Sequence, residues 1–394
     1  MSFYYRHPKV KVSFGRGERS WAGKLASKHG ERALVVTGKS AMERLGFLEE
    51  LYDSLEENGV EVVQTFNDIR PNPEVRDAEN CARSVWDDDI DVIVALGGGS
   101  VMDTAKGVNV ALSNWDSPDE GLWEYVSGET RIEEYNLPLV AITTTSGTGS
   151  HVNTGAVLAN DEINAKPAFG HTDMAPDNAI VDPEIMDHLP PEVTAASGFD
   201  VFAHASEGYV AGGEHPISDL YSIEAMEKVA NSLVAAVNNP TEEARDEMAL
   251  ADTLAGEALA SNGTVLNHAL AHSISGHDPD VAHGQALATI TPAVIRYNVE
   301  NGDERTRQRY SDIARILGKD IDGGGRKDAL KAAEAVEELR AEIGLDRRID
   351  DFDVSKDEID DMVSEAKTWL KGAWNHNPVE VTEDDAKAIY DEAW

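Results

Sequence analysis

The sequence predicts a fold in two halves, an α/β half built on a parallel sheet followed by an all-α half, and three observations carry that expectation. Short β-branched runs alternate with helical stretches up to Pro183. Beyond it the apolar spacing is helical, in long segments rich in Ala, Leu and Glu. At 394 residues the chain is also long for one hydrophobic core, so two compact units are expected.

The first half opens with an apolar run at 33-ALVVT-37, a helical stretch at 41-AMERLGFLEELYDSLEENG-59 and a second strand at 60-VEVVQTF-66. The run 91-DVIVAL-96 is continuously apolar after its first residue, which predicts a strand buried on both faces, and a further strand is read at 138-PLVAITT-144. The change of pattern falls near 188, where Asp187, His188 and the Leu189-Pro190-Pro191 turn interrupt both periodicities. Domains are therefore expected at 1–188 and 189–394, with a catalytic cleft between them. In the second half, 189-LPPEVTAASGFD-200 and 327-KDALKAAEAVEELRAEIG-344 are helical, and 323-GGG-325 reads as a loop joining two helices.

The charge is extreme, with 73 Asp plus Glu against 34 Lys plus Arg for a formal net charge of −39. Concentrated salt screens such a surface and carboxylates hold water well, so a salt-adapted cytoplasmic protein is expected. Without a Lys/Arg cluster to meet phosphates, a nucleic-acid partner is not expected. Cys81 is the single cysteine, so an intrachain disulfide and a thiolate metal site are both ruled out. The opening MSFYYRHPKV lacks an apolar signal core, and no run has the length of a membrane span. Neither secretion nor membrane insertion is expected.

Two glycine loops follow apolar strands. In 97-GGGSVMDTAK-106, Gly97, Gly98 and Gly99 precede a helical run, and Ser100 and Asp103 have the spacing of an N-terminal cap. Glycines let backbone N–H groups approach a pyrophosphate at the helix N-terminus. The second loop, 144-TTSGTGS-150, sets the hydroxyls of Thr144, Thr145 and Thr148 among glycines. Two such loops at the ends of neighbouring strands would line one dinucleotide crevice.

Asp200 and His204 are four residues apart in 200-DVFAHASEGYV-210, so a helix projects both from one face toward one ion. The segment 268-HALAHSISGHDPDVAHG-284 supplies His268 and His272 at the same spacing, then His277 and His283. Six of the twelve histidines fall between 204 and 283, a concentration that points to a metal site. Oxygen and imidazole donors suit Fe(II), Zn(II), Mn(II) or Co(II) alike. His277, in a polar segment read as loop, is the expected bystander. His215, before Pro216, reads as structural.

With these motifs in place the chain resembles the iron-containing (group III) alcohol dehydrogenase family over essentially its whole length. The resemblance rests on GGGSVMDTAKG, TTSGTGS, 182-DP-183, GFDVFAHASEGYV and HALAHSISGHDPDVAHG followed by 292-PAVIRYN-298. It implies a Rossmann-like NAD(P)-binding domain and a helical catalytic domain in a dehydroquinate synthase-like architecture. It also implies one divalent metal, iron first and zinc second, on Asp200, His204, His268 and His283. His272 would lie near nicotinamide and substrate as the catalytic histidine. Gly38, Lys39 and Lys166 join the glycine-loop residues as implied cofactor contacts.

The implied reaction is hydride transfer between NAD(P)(H) and a small primary alcohol, 1,2-diol or aldehyde, in a homo-oligomer. Glycerol dehydrogenases, maleylacetate reductases and the non-redox dehydroquinate synthases share the architecture and are the alternatives, beside an assembly protein without chemistry. Three departures from the family pattern stand out. Ala282 replaces the usual Pro before the last ligand, and the segment from His272 to His283 is one residue longer. His151 stands where Glu is common. Gly38 stands where NAD-preferring relatives often carry an acid, which leaves that position without a carboxylate to repel a 2′-phosphate.

Overall fold

The computed structural model describes residues 9–213 and 215–394. The N-terminal segment 1–8, most of the stretch read above for a signal core, lies outside them. The chain forms two compact units. One comprises residues 9–145 and 150–188; the other comprises 146–149 and 189–394.

The first unit is built on a parallel six-stranded sheet. Its strands are β1 (Lys11–Phe14), β2 (Arg32–Gly38), β3 (Glu61–Ile69), β4 (Val92–Gly97) and β5 (Leu139–Thr143). After the small antiparallel pair β6 (Gly155–Val157) and β7 (Ala168–Gly170), β8 (Asn178–Val181) completes the sheet in the order β1-β8-β5-β4-β2-β3. Every residue of β4 and β5 is buried, as their unbroken apolar runs require. Alternate side chains go to opposite faces.

Leu34, Val36, Ile93, Ala95, Leu139 and Ala141 face one layer, which holds α2 (Val75–Ser84) and α3 (Gly99–Asn114). Ala33, Val35, Val92, Val94, Leu96, Val140 and Ile142 face the other, packed on Phe47, Leu48, Leu51 and Leu55 of α1 (Phe47–Glu57). The chain steps from β2 outward to β3, then returns past β2 to β4, so the winding reverses between β2 and β4. A crevice beyond the carboxyl ends of two strands forms at such a reversal.

The second unit is helical. It contains α4 (Pro191–Val210), α5 (Pro216–Asn238), α6 (Glu242–Asn262), α7 (Leu266–His277), α8 (His283–Asn301), α9 (Glu304–Ile316), α10 (Arg326–Glu342), α11 (Ile359–Trp369), α12 (Lys371–His376) and α13 (Glu383–Ala393). Helix α4 is buried almost all round, from Thr194 to Val210 with few gaps, because other helices pack on its several faces. The glycine triplet 323–325 joins α9 to α10, as the sequence predicts. Among the described residues no helix is long and apolar enough to cross a membrane.

Candidate metal centre and glycine loops

Helical spacing brings Asp200 and His204 to one face of α4, and α7 brings His268 against them. Ligand atoms of these three residues lie within 4.8 Å of one another. Asp200 Oδ1 is 3.5 Å from His268 Nε2 and 3.8 Å from His283 Nε2, and 3.6 Å from His204 Nδ1, the nitrogen that also meets the Gly147 carbonyl. The rings of His204 and His268 stack at 4.6 Å, and His283 meets His268 edge-on at 5.3 Å. His272, one turn beyond His268, has its ring 4.8 Å from that of His283.

His283 reaches the cluster despite the lengthened segment before it. Val281 is buried, and its N–H bonds to the carbonyl of Asp278 in a turn whose Asp278 carboxylate also accepts from Asp280 N and Asp353 N. His283 then starts α8, and Gly284 behind it presses on α4, where a Cβ would fall 1.8 Å from the Ala196 carbonyl oxygen. A side chain at 284 would push the last histidine away from the other three.

Two buried atoms show that these residues suit a cation. Asp200 Oδ1 and His268 Nε2 have no hydrogen-bond partner, an expensive arrangement for polar atoms away from water unless an ion takes their lone pairs. A carboxylate oxygen with imidazole nitrogens is the donor chemistry of iron and zinc.

The surroundings prepare the imidazoles. His268 Nδ1 is 2.6 Å from Glu207 Oε1, while Glu207 Oε2 accepts from the backbone N–H groups of Val265 and His268. Its Nδ1 proton held there, His268 directs Nε2 at Asp200. Burial alone lowers the His268 pKa, but Glu207 and Asp200 outweigh it and push it up to about 9. For His204 burial dominates over the attraction of Asp200, and the pKa falls, which keeps the ring neutral and able to donate a lone pair. Its Nδ1 lies 3.2 Å from the Gly147 carbonyl oxygen.

Glu207 is absent from the sequence-predicted site. Its signal was present, since Asp200, His204 and Glu207 are spaced i, i+4, i+7 along one helix face. Asp252 was also missed, and no motif marked it. Buried on α6, it accepts from Gly149 N at 2.8 Å, and burial with the nearby Asp200 charge pushes its pKa up to about 7.

The remaining histidines are accounted for elsewhere. His277 is the last residue of α7 rather than part of a loop, and both its nitrogens face carboxylates, Glu358 and Glu365, at 3.0 Å. His215 caps α5, its Nδ1 accepting from Ser218 N.

In the first unit the start of the second loop stands beside the first. Strand pairing sets Gly97 opposite Thr143, and Thr144 N donates to the Gly97 carbonyl. Gly38 ends β2 next to β4, so Gly38, Gly97 and Thr144 line the carboxyl edge of three adjacent strands. Two expectations need correction. Ser100 does not cap α3, because the helix starts at Gly99 with Gly98 as its cap residue and no capping side chain. Its first N–H groups are the ones left to meet an anion.

Asp103 is no cap partner either. Its carboxylate accepts from Ser150 Oγ at 2.7 Å and Val157 N at 2.9 Å, so it braces the end of the second loop. Lys106, fully buried on the same helix, donates toward Ser150, Asn153 and Gly155. His151 beside it stays neutral, since burial and then the Lys106 charge push its pKa down to about 3. The oxygens of Ser150, Asn153 and Gly155 take the Lys106 ammonium. Lys166 bonds Asn72 at 2.9 Å. Lys39 pairs with Asp68 at 3.2 Å, so a carboxylate does stand near Gly38, supplied by β3 and not by the residue after Thr37.

Sheet and centre together are those of an iron-type alcohol dehydrogenase, and comparison with known proteins agrees. The description "Iron-containing alcohol dehydrogenase" matches residues 8–183, and "Fe-containing alcohol dehydrogenase family, C-terminal" matches 194–394. The chain belongs to the iron-containing alcohol dehydrogenase family and is an oxidoreductase of that family. It is 30% identical to lactaldehyde reductase of Escherichia coli over 383 residues, 97% of each chain. An archaeal halo-thermophilic Red Sea brine pool alcohol dehydrogenase superposes with a TM-score of 0.96 at 40% identity over the whole of both chains. Sulfoacetaldehyde reductase from Bifidobacterium kashiwanohense, solved in complex with NAD+, superposes at 0.85 with 28% identity, covering 100% of this chain and 99% of that one.

Proposed function

We propose that this chain is a cytoplasmic, salt-adapted and homo-oligomeric enzyme that interconverts small primary alcohols or 1,2-diols with their aldehydes. Asp200, His204, His268 and His283 hold one divalent ion, iron by preference and zinc as an ion the same donors accept. Gly38, Lys39, Gly97, Gly98, Gly99, Ser100, Thr144, Thr145, Thr148 and Lys166 bind NAD(H) or NADP(H), with Asp103 bracing the loop. The observation that carries the reading is the gathering of ligand atoms of Asp200, His204 and His268 within 4.8 Å of one another, with Asp200 Oδ1 and His268 Nε2 buried without a hydrogen bond.

When bound, the ion supplies Lewis acidity toward the substrate oxygen and the dinucleotide supplies or accepts the hydride. The protein's part is positional. Glu207 and the Gly147 carbonyl orient His268 and His204, and the first N–H groups of α3, at Gly99 and Ser100, face an anionic group. His272, buried beside His283, is the group to pass the alcohol proton toward solvent.

The lactaldehyde reductase and 1,3-propanediol dehydrogenase among the relatives support this substrate class, and the brine-pool neighbour supports the salt adaptation. The test is metal analysis of anaerobically purified protein together with a screen of aldehydes, 1,2-diols and glycerol against NAD(H) and NADP(H) in high salt. One bound ion per chain, with activity lost on chelation and restored by Fe2+ or Zn2+, is expected. Full turnover in metal-free protein refutes the reading.

A further inference from the structure

We propose that the glycine loop Ser146–Gly149 is an outer support of the metal centre, and that Asp252 is the positioning residue that holds it in place. This rests on the metal reading above and assigns the loop a task beyond the phosphate contact its composition suggests. The loop packs with the helical unit and is gripped at two points.

At Gly149, α6 supplies both an acceptor and a wall. Asp252 Oδ1 takes the Gly149 N–H at 2.8 Å, and a Cβ on Gly149 would fall 2.4 Å from the Cα of Gly256, one turn along the same helix. Gly149 has φ of +59°, so the turn there suits glycine on conformational grounds as well. At Gly147, α4 supplies the other grip: a Cβ there would meet Ser197 at 3.0 Å, and its carbonyl oxygen faces His204 Nδ1 at 3.2 Å. Ser197, Asp200, His204 and Glu207 follow one another along a single face of α4.

A histidine ligand needs its second nitrogen protonated and anchored so that the other offers its lone pair to the ion. Glu207 does this for His268 through a side chain. For His204 the anchor is a backbone carbonyl in a turn rich in glycine, which by itself has no reason to hold still. Asp252 restrains it: buried, two residues further along the loop and hydrogen-bonded to its backbone, it fixes where the Gly147 carbonyl points. The chain of dependence runs from Asp252 through the loop to the His204 ring.

Titration of metal-free protein with Co2+, followed by its visible absorption, tests this. Asp252→Ala is expected to weaken Co2+ binding about 10- to 100-fold and to alter the spectrum, the usual scale for losing an outer-layer partner. Asp252→Asn keeps the shape and one acceptor oxygen and is expected to fall between Asp252→Ala and wild type. It decides the matter where Asp252→Ala fails to fold. Wild-type affinity and spectrum in a folded variant overturn the proposal while the metal reading stands. Wild-type protein that binds no Co2+ overturns both.

Discussion

The proposed metal centre turns on which nitrogen of each histidine is held and by what. Glu207 is as buried as Asp200, His204 and His268 and gives both oxygens to α7, one to the His268 ring and one to backbone N–H groups. Glu207→Gln keeps the shape but can no longer hold a charged partner, and metal affinity is expected to fall about 10- to 100-fold by competition with a chelator. An unchanged affinity would mean that Glu207 only tethers the helix. His268→Ala and His272→Ala separate ligand from proton carrier. The first is expected to lose both ion and turnover. The second retains its ion by elemental analysis while its rate drops about 10²- to 10⁴-fold.

At the scale of elements, α7 carries His268 and His272 and ends on His277. Both nitrogens of His277 face carboxylates, which requires both to be protonated, and the Glu365 and Glu358 contacts push its pKa from 6.5 to about 9 against burial. The folded pKa is the higher one, so this contribution is complete below about 6.5 and fades as pH rises through about 9. Compared with His277→Gln, wild type is expected to melt higher at pH 6 and to lose that advantage by pH 10. A difference in melting temperature that does not change across this range would show the ring acting through packing alone. The turn at Asp278–Val281 and the close seat of Gly284 on α4 complete the element, delivering His283 from a segment longer than the family pattern.

Over the whole molecule the net charge of −39 sets the response to solvent. Of the 34 cationic side chains many are already engaged, as with Arg296 between Glu337 and Glu392 or Lys356 with Asp391, and the 73 carboxylates outnumber the cations that could pair with them. Raising KCl from about 0.1 M to about 1 M shortens the screening length from about 10 Å to about 3 Å. The melting temperature is expected to climb across that interval. A curve flat below molar salt would leave the acidic surface without this role.

What the sequence by itself determined are the features written in local periodicity. Alternation of β-branched runs with helical stretches announced the parallel sheet, and glycine triplets after apolar strands announced the loops at its carboxyl edge. Spacing of four placed Asp200 with His204, and His268 with His272, because a helix turns every 3.6 residues regardless of what packs on it. Tertiary structure decided what depends on partners distant in the chain. His268 finds Glu207 61 residues away, His204 meets Gly147 across 57, and Gly149 meets Asp252 across 103. The same holds for the braced carboxylate of Asp103, misread as a cap because its spacing was right and its partners, Ser150 and Val157, lay out of local view. Helical and strand patterns reveal which face a side chain takes; only packing settles which polar atom waits there to satisfy it.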